Sequence, residues 1–476
     1  MFEGVPGSLV GVVNHVMIGG PVPQNPPRDP TWMGSQRPMA RLVARPLRQF
    51  LETEVAGGAF LLVATLAALI LANSPLKDSY FDLLHTVITI EVGSFRISED
   101  ILHWINDGLM VIFFFVVGLE IKRELVRGEL SDRRKAALPV AAALGGMIVP
   151  ALIYVAFNAG SNASHGWGIP MATDIAFALG VLALVAPRAP SSLKVFLLSL
   201  AIADDIGAIV VIAIFYTGQI DVEWLMAAVI LFAAVAFLRT VRVWWVPLYV
   251  VFGIAIWVAL LKSGVHATIA GVALGLLTPV QPLAPEQWLR IPVLQREDEE
   301  EGEVAAEDAL KTRRRVHFAS SVAERLVYIL HPWSSFLIVP IFAFANAGIE
   351  LSGDILSEAV TSRVTIGVLV GLVVGKIVGV VLFTRLALAT GWGALPGDMR
   401  IDHVTGVAAL AGIGFTVSIF ISSLAFTEAT FVEEAKIGIL AASVIASIAG
   451  AVLLHRARPG EAVAPEQTSA PTEGDR

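Results

Sequence analysis

The sequence predicts an all-α polytopic membrane protein with about twelve transmembrane helices. Three observations carry that expectation. Of the 476 residues, 56% are hydrophobic and only 16% are charged, and the mean hydropathy is +0.74. Such a chain is too apolar for a soluble globular protein. The apolar residues form continuous runs long enough to cross a bilayer as helices, whereas a barrel strand would alternate apolar and polar positions. Lys and Arg are also distributed unevenly. With the N-terminus placed in the cytoplasm, all but six of the 33 Lys and Arg fall on cytoplasmic segments. The six are Lys77, Arg96, Lys262, Arg363 and Lys436 on the outer side, and Lys376 inside a span. This positive-inside pattern puts both termini in the cytoplasm. Cysteine is absent, which excludes disulfides, thiolate chemistry and Cys-based metal sites.

Taken in order, residues 1–50 are rich in Pro, Gly and Arg. Their short apolar stretch, Ser8 to Gly19, follows no basic segment, so a cytoplasmic arm is expected rather than a cleaved signal peptide. Spans are expected at 57–73, 101–121, 137–157, 168–186, 195–216, 222–238, 244–261, 264–280, 329–349, 364–389, 404–425 and 434–454. Together they make a transmembrane domain over 51–456. Between the first two, residues 87–97 alternate around Gly93-Ser94, a hairpin signal. Residues 281–327 carry an acidic run, Glu297 to Glu301, and a basic run, Lys311 to Arg315. They read as a long solvated cytoplasmic loop. The tail, 457–476, is polar and Pro-containing, and is expected to be disordered.

The span Leu197 to Tyr216 holds two adjacent carboxylates, Asp204 and Asp205. Each costs about 2.5–3.5 kcal/mol at membrane depth, and no span needs that for packing. On a helix their side chains point about 100° apart, so one can line an ion site while the other faces a neighbouring helix. Close carboxylates repel when both are ionised, and their proton affinities separate. Such a pair can exchange protons for a cation. The plainer alternative is a pair of hydrogen-bonded structural acids.

Asp174 follows Pro170-Met-Ala-Thr173 in mid-span, where proline and polar residues argue for an interrupted helix. A half-helix N-terminus there carries partial positive charge that Asp174 could offset, and an ordinary helix cap fits the same residue. Lys376, between Gly375 and Gly379, needs a carboxylate partner, and Asp204 or Asp205 is the obvious one. Snorkelling to the interface is the alternative. Gly412-Ile-Gly414, followed by Thr416 and Ser418, is a second candidate break. Two interrupted spans at corresponding positions mark a transporter binding site, whereas glycine packing between helices would explain the glycines alone. Asp107 near the start of the second span, Glu120 and Arg123 near its end, and His266 are candidates for an entry funnel or pH sensing. Interfacial anchoring explains them equally well.

The strings ATDIAFALGVLAL, LAIADDIGAIVVIAIFY, SGVHATIAGV, LHPW…PIFAFANAGI, GKIVG and GIGFTVSIFI together resemble the NhaA-type sodium/proton antiporters, in order from about residue 50 to 456. The resemblance implies inverted repeats with two unwound helices crossing at mid-membrane, near Thr173 and Ile413. It implies a multi-pass protein of the bacterial cytoplasmic membrane, embedded in the lipid bilayer. It further implies electrogenic exchange of cytoplasmic Na+ or Li+ for external protons, switched on by alkaline pH, in sodium and pH homeostasis. Asp205 would be the primary cation ligand, with Asp204 and Thr173 close by. Asp174 and Lys376 would balance the half-helix dipoles, and Lys376 would pair with Asp204. The cargo ions are Na+ or Li+ and H+, no cofactor is called for, and the 87–97 hairpin would join a homodimer.

Three features depart from the family. The acidic residue and histidine expected shortly before LHPW are Val327 and Tyr328, the 281–327 loop is long, and the N-terminal arm is extra. An intramembrane aspartyl protease would need catalytic aspartates on separate helices and a Gly-x-Gly-Asp string, which this chain lacks. A cation channel would show a repeated filter. Neither enzyme nor channel is therefore expected, and nothing points to nucleic acid.

Overall fold

The computed structural model describes residues 54–281 and 321–457, apart from Ser94, Arg188, Arg242, Trp244, Gly397 and Asp398. The chain divides into two units, residues 1–53 with 281–322 and residues 54–280 with 323–476. Nearly all described residues lie in the second, which is described here. The expected N-terminal arm and tail, and most of the expected 281–327 loop, fall outside the described residues.

The apolar runs fold as helices because a helix satisfies every backbone polar group internally, as a lipid environment demands. They are α1 (Glu54–Ala72), α2 (Lys77–Leu84), α3 (Ile101–Arg127) and α4 (Arg133–Asn158), then a 3-10 helix α5 (Asn162–Met171). Next come α6 (Ile175–Val185), α7 (Ser191–Phe215), α8 (Val222–Thr240), α9 (Val246–Ser263) and α10 (Thr268–Leu277). The second half holds α11 (Val322–Asn346), α12 (Gly353–Thr361), α13 (Arg363–Ala389), α14 (Ile401–Leu410), α15 (Phe415–Ala425) and α16 (Ala429–Arg456). The order long helix, broken helix, long helix occurs twice, in α4 to α7 and again in α13 to α16. The hairpin forms as expected, with β1 (Val87–Val92) antiparallel to β2 (Phe95–Asp100) and Ile90 opposite Ile97.

The helices agree with the expectation of about twelve spans. Among the described residues nine helices are long and apolar enough to cross a membrane, and two bent pairs raise the number to eleven. The expected span 264–280 is the ten-residue α10, about 15 Å long and half the thickness of a bilayer core. Gly264, with φ 79°, ends α9 in the left-handed conformation, and the chain turns before helix resumes at Thr268. α10 packs against α3. A Cβ on Gly275 would sit 2.7 Å from the Phe115 carbonyl oxygen, and one on Gly118 would sit 2.6 Å from that of Val272.

A second difference lies at α11, which starts at Val322, well before the expected 329. Residues 322–327 were expected in the loop, but Val322-Ala-Glu-Arg-Leu-Val is amphipathic, which a purely apolar run does not capture. Its Glu324 carboxylate pairs with Arg127 at 3.0 Å.

The close approach of α4 and α13 positions the site, and glycine permits it. At the crossing Gly145 faces Gly379, and a Cβ on Gly379 would lie 2.6 Å from the carbonyl carbon of Gly145. Gly379→Ala is expected to force the helices apart and destabilise the protein by about 1–3 kcal/mol. Gly353→Ala, which meets open space, is the control. Thermal melting of the detergent-solubilised protein reads both, and equal melting temperatures would contradict the packing argument.

Candidate functional site

The site is built where two spans lose their helical backbone. The first is broken between α5 and α6, which are bent by 46°, and the second between α14 and α15, bent by 51°. The two unwound segments bond to each other. The Asp174 backbone N–H donates to the Ile413 carbonyl at 2.7 Å, and the Thr173 hydroxyl lies 2.9 Å from the Ala411 carbonyl. The expected crossing near Thr173 and Ile413 is therefore present.

Gly412 and Gly414 lie in the second break, as expected. Neither has a positive φ, so they serve close packing rather than unusual backbone angles. A Cβ on Gly412 would meet the Leu372 carbonyl oxygen at 2.5 Å. Pro170 is not itself in the break. It sits inside the 3-10 helix α5, and the backbone unwinds after Met171. Its ring packs against α13, where a Cβ on Gly371 would lie 2.9 Å from it.

Asp174 caps two helices at once. One carboxylate oxygen accepts from the Phe177 N–H of α6 at 3.0 Å. The other accepts from the Thr416 N–H at 3.1 Å and the Thr416 hydroxyl at 2.6 Å, at the start of α15. Both half-helix N-termini thus present their free N–H groups to one carboxylate, where their dipoles favour negative charge. Thr416→Val keeps the backbone bond and loses the hydroxyl bond, at a cost of about 1–2 kcal/mol. Melting of the purified variant checks this, and an unchanged transition would show that the hydroxyl bond contributes nothing.

Lys376 is fully buried. It follows a wide π turn, Gly371–Gly375, in α13, and such turns recur at functional positions. Gly371 and Gly375 let that turn approach Pro170 and Pro150. The ammonium then reaches the Met171 carbonyl at 2.5 Å, the Thr173 hydroxyl at 3.0 Å and Asp204 Oδ2 at 2.6 Å. An ammonium has three donors, and all three are used. Thr173 also donates toward Asp204 Oδ2 at 2.7 Å, so its single proton serves either that oxygen or the Ala411 carbonyl.

Asp204 and Asp205 are buried on α7. Only Asp204 pairs with Lys376. One oxygen of each carboxylate, Asp204 Oδ1 and Asp205 Oδ1, is buried with no hydrogen-bond partner. Buried carboxylate oxygens are normally satisfied, so two adjacent exceptions mark a place for a proton or a cation. Among the described residues no group of three or more His, Asp or Glu is placed to hold a metal ion.

None of the four weaker candidates makes a direct contact with this cluster, although Glu120 lies near enough for its charge to act on Asp205. Asp107 lies in the π turn Trp104–Leu109 of α3, and its carbonyl accepts from Trp257 Nε1 at 2.7 Å. His266 sits against the Tyr216 carbonyl at 2.6 Å. Glu120 lies near the other end of α3, about 20 Å away along the helix, with an oxygen 4.0 Å from His331 Nε2. Arg123 is one turn beyond Glu120. Val327, in the place of the family's acidic residue, packs in a small apolar cluster with Leu119, Val280 and Ala323, while Tyr328 is exposed.

The sequence reasoning missed the backbone carbonyls of Met171 and Ala411, which carry no residue-type signal. It noted Thr416 without a role. The place of Thr416 just after the Gly412-Ile-Gly414 break, at the start of α15, was the signal that could have found it.

The family model described as Na+/H+ antiporter 1 matches residues 48–454. The chain is 46% identical over 418 residues to a protein of Frankia alni named Na(+)/H(+) antiporter NhaA 3, covering 87% of this chain and 89% of that protein. It is 45% identical over 416 residues to the Na(+)/H(+) antiporter NhaA of Serratia proteamaculans, covering 87% and 98%. It is 44% identical over 458 residues to the Na(+)/H(+) antiporter NhaA 2 of Sorangium cellulosum, covering 93% and 97%.

Proposed function

This chain belongs to the Na+/H+ antiporter 1 family of multi-pass membrane transporters, and from that membership we propose that it exchanges cytoplasmic Na+ or Li+ for external protons at Asp204 and Asp205. One observation carries the reading. Asp204 is held by Lys376 and Thr173 through its Oδ2, whereas Asp205, which like Asp204 keeps a buried Oδ1 without a partner, makes no ion pair among the described residues. Asp205 is then the carboxylate free to take the cation, and Asp204 the one fixed beside it.

Proton and cation compete for that oxygen. Binding either one neutralises the buried charge, and an empty ionised site is costly in this surrounding. Exchange follows if the loaded forms change face and the empty form does not. A sodium ion here would be completed by neutral oxygens, for which the Thr173 hydroxyl beside Asp204 is the candidate. Electrogenic exchange needs a second titrating group for each cation, and the Asp204–Lys376 pair is the adjacent one. Asp174 offsets the N-termini of α6 and α15, and Lys376 offsets the carbonyl end of α5. No cofactor is needed. Both termini are cytoplasmic on the charge pattern, in a bacterial cytoplasmic membrane.

Two parts of the reading rest on the ends of the molecule. Asp107 with His266, and Glu120 with Arg123, are the candidates for pH control, at opposite ends of α3. With Val327 in an apolar cluster, the pH of activation is carried by these groups. The exposed apolar residues Val87, Ile88 and Ile90 of the hairpin leave a strand edge open to a second copy, which supports a homodimer through residues 87–97.

The test uses everted membrane vesicles acidified by respiration, with a fluorescent ΔpH dye. NaCl and LiCl are expected to restore fluorescence and KCl is not, with a larger response at alkaline pH. Clamping the membrane potential with valinomycin and potassium is expected to change the rate, which an electroneutral exchanger would not show. Absence of any response to Na+ or Li+ in correctly inserted protein would overturn the reading.

A further inference from the structure

A cavity of about 310 Å³ opens where α7 and α15 end and α5 begins. Its lining residues include four aromatics, Phe215, Tyr216, Phe426 and Phe431, together with Glu428 and His165. Its lining includes no Lys or Arg. Tyr216 lies eleven residues past Asp205 on α7, about 16 Å along the helix axis, so the cavity is separate from the ion site.

The aromatic wall is fixed in place. The Tyr216 hydroxyl donates to the His165 carbonyl at 2.9 Å and accepts from the Gly168 N–H at 3.0 Å. Trp167 supports the rings of Phe215 and Tyr216 from behind, at centroid distances of 5.0 and 6.4 Å. Phe426 and Phe431 hold each other at 5.5 Å. Glu428 stands at the start of α16 but makes no capping hydrogen bond to that helix. Its carboxylate is therefore not engaged in holding the helix end.

We propose that this cavity binds an organic ammonium group. Aromatic faces attract a cation by about 0.5–2 kcal/mol each, most when water is excluded, and quaternary ammonium ions suit them because they are weakly hydrated. Glu428 supplies the opposite charge. The volume lies at the small end of the range for ligand pockets, about 300–1,000 Å³, and accommodates a group the size of phenyltrimethylammonium. The ammonium comes either from a free amine or from a phosphatidylethanolamine headgroup. Because the walls include residues at the ends of α5, α7, α15 and α16, an occupant bridges both broken spans and slows exchange without competing with sodium at Asp205.

Isothermal titration calorimetry of the purified full-length protein with phenyltrimethylammonium tests this. Saturable binding is expected, at least about tenfold tighter than that of uncharged benzyl alcohol. Glu428→Gln and Phe431→Leu should each weaken it about tenfold, while Asp205→Asn and added NaCl leave it unchanged. Nanodiscs with and without phosphatidylethanolamine then distinguish the source. Weaker probe binding in its presence assigns the site to the headgroup, and equal binding assigns it to a free amine. No saturable binding, equal binding of benzyl alcohol, or loss of binding in Asp205→Asn with no effect of the two cavity substitutions would overturn the proposal.

Discussion

Asp205→Asn should abolish sodium-driven proton movement in everted vesicles while the protein remains folded. The amide matches the carboxylate in size but carries no charge, so it neither balances a cation nor takes up and releases a proton in the working range. Losing a full charge opposite a bound ion by about 2.7 kcal/mol already gives a hundredfold drop, and the buried setting makes the loss larger. The expected result is therefore a rate indistinguishable from vesicles lacking the transporter. The melting temperature should hold or rise, since the change removes an uncompensated buried charge. A variant that is folded, inserted and still responsive to Na+ would move the cation ligand away from Asp205.

Lys376→Ala should give the largest loss of stability among the substitutions considered. The lysine is buried with all three donors engaged. Its removal strands the Asp204 charge and frees the Met171 carbonyl at the end of α5. Breaking a buried ion pair from one side costs about 3–5 kcal/mol, whereas replacing both partners by neutral groups is far cheaper. The double variant Lys376→Met with Asp204→Asn should therefore recover much of the melting temperature lost by Lys376→Ala, while remaining inactive. Additive losses across Lys376→Met, Asp204→Asn and the double variant would show that the pair is not coupled.

Much of this was readable in the amino-acid order because lipid is a strict solvent. It forces apolar runs into helices and makes every intramembrane charge conspicuous. Asp174, Asp204, Asp205 and Lys376 stood out for that reason. Burial cost requires a carboxylate partner for Lys376 but leaves Asp204 and Asp205 equal, and only the family resemblance pointed to Asp204. Helix lengths were less legible, since hydropathy measures apolarity and not length in space. Residues 264–280 are apolar throughout, yet Gly264 and the turn after it leave only the ten residues of α10 helical. The amphipathic start of α11 erred in the opposite direction. Hidden altogether were the π turns, in α3, in α13 and at Ser334–Ile338 of α11, and the carbonyl contacts that hold Lys376. Pro170 illustrates the limit. A proline in mid-span signals irregular backbone, but it sits in a 3-10 turn and the chain unwinds two residues later.

The hydrogen bonds between the two breaks have a mechanical consequence. Asp174 links α6 and α15 through one carboxylate, its own N–H reaches Ile413, and the Ser418 hydroxyl ties α15 to the Ile169 carbonyl of α5 at 2.9 Å. These bonds rivet four half-helices into one piece with no independent joint at either break. Flexing at one break would have to shear bonds belonging to the other. The crossing therefore travels as a solid pivot, and the compliance needed for a change of face resides at its rim, where it slides on the surrounding helices.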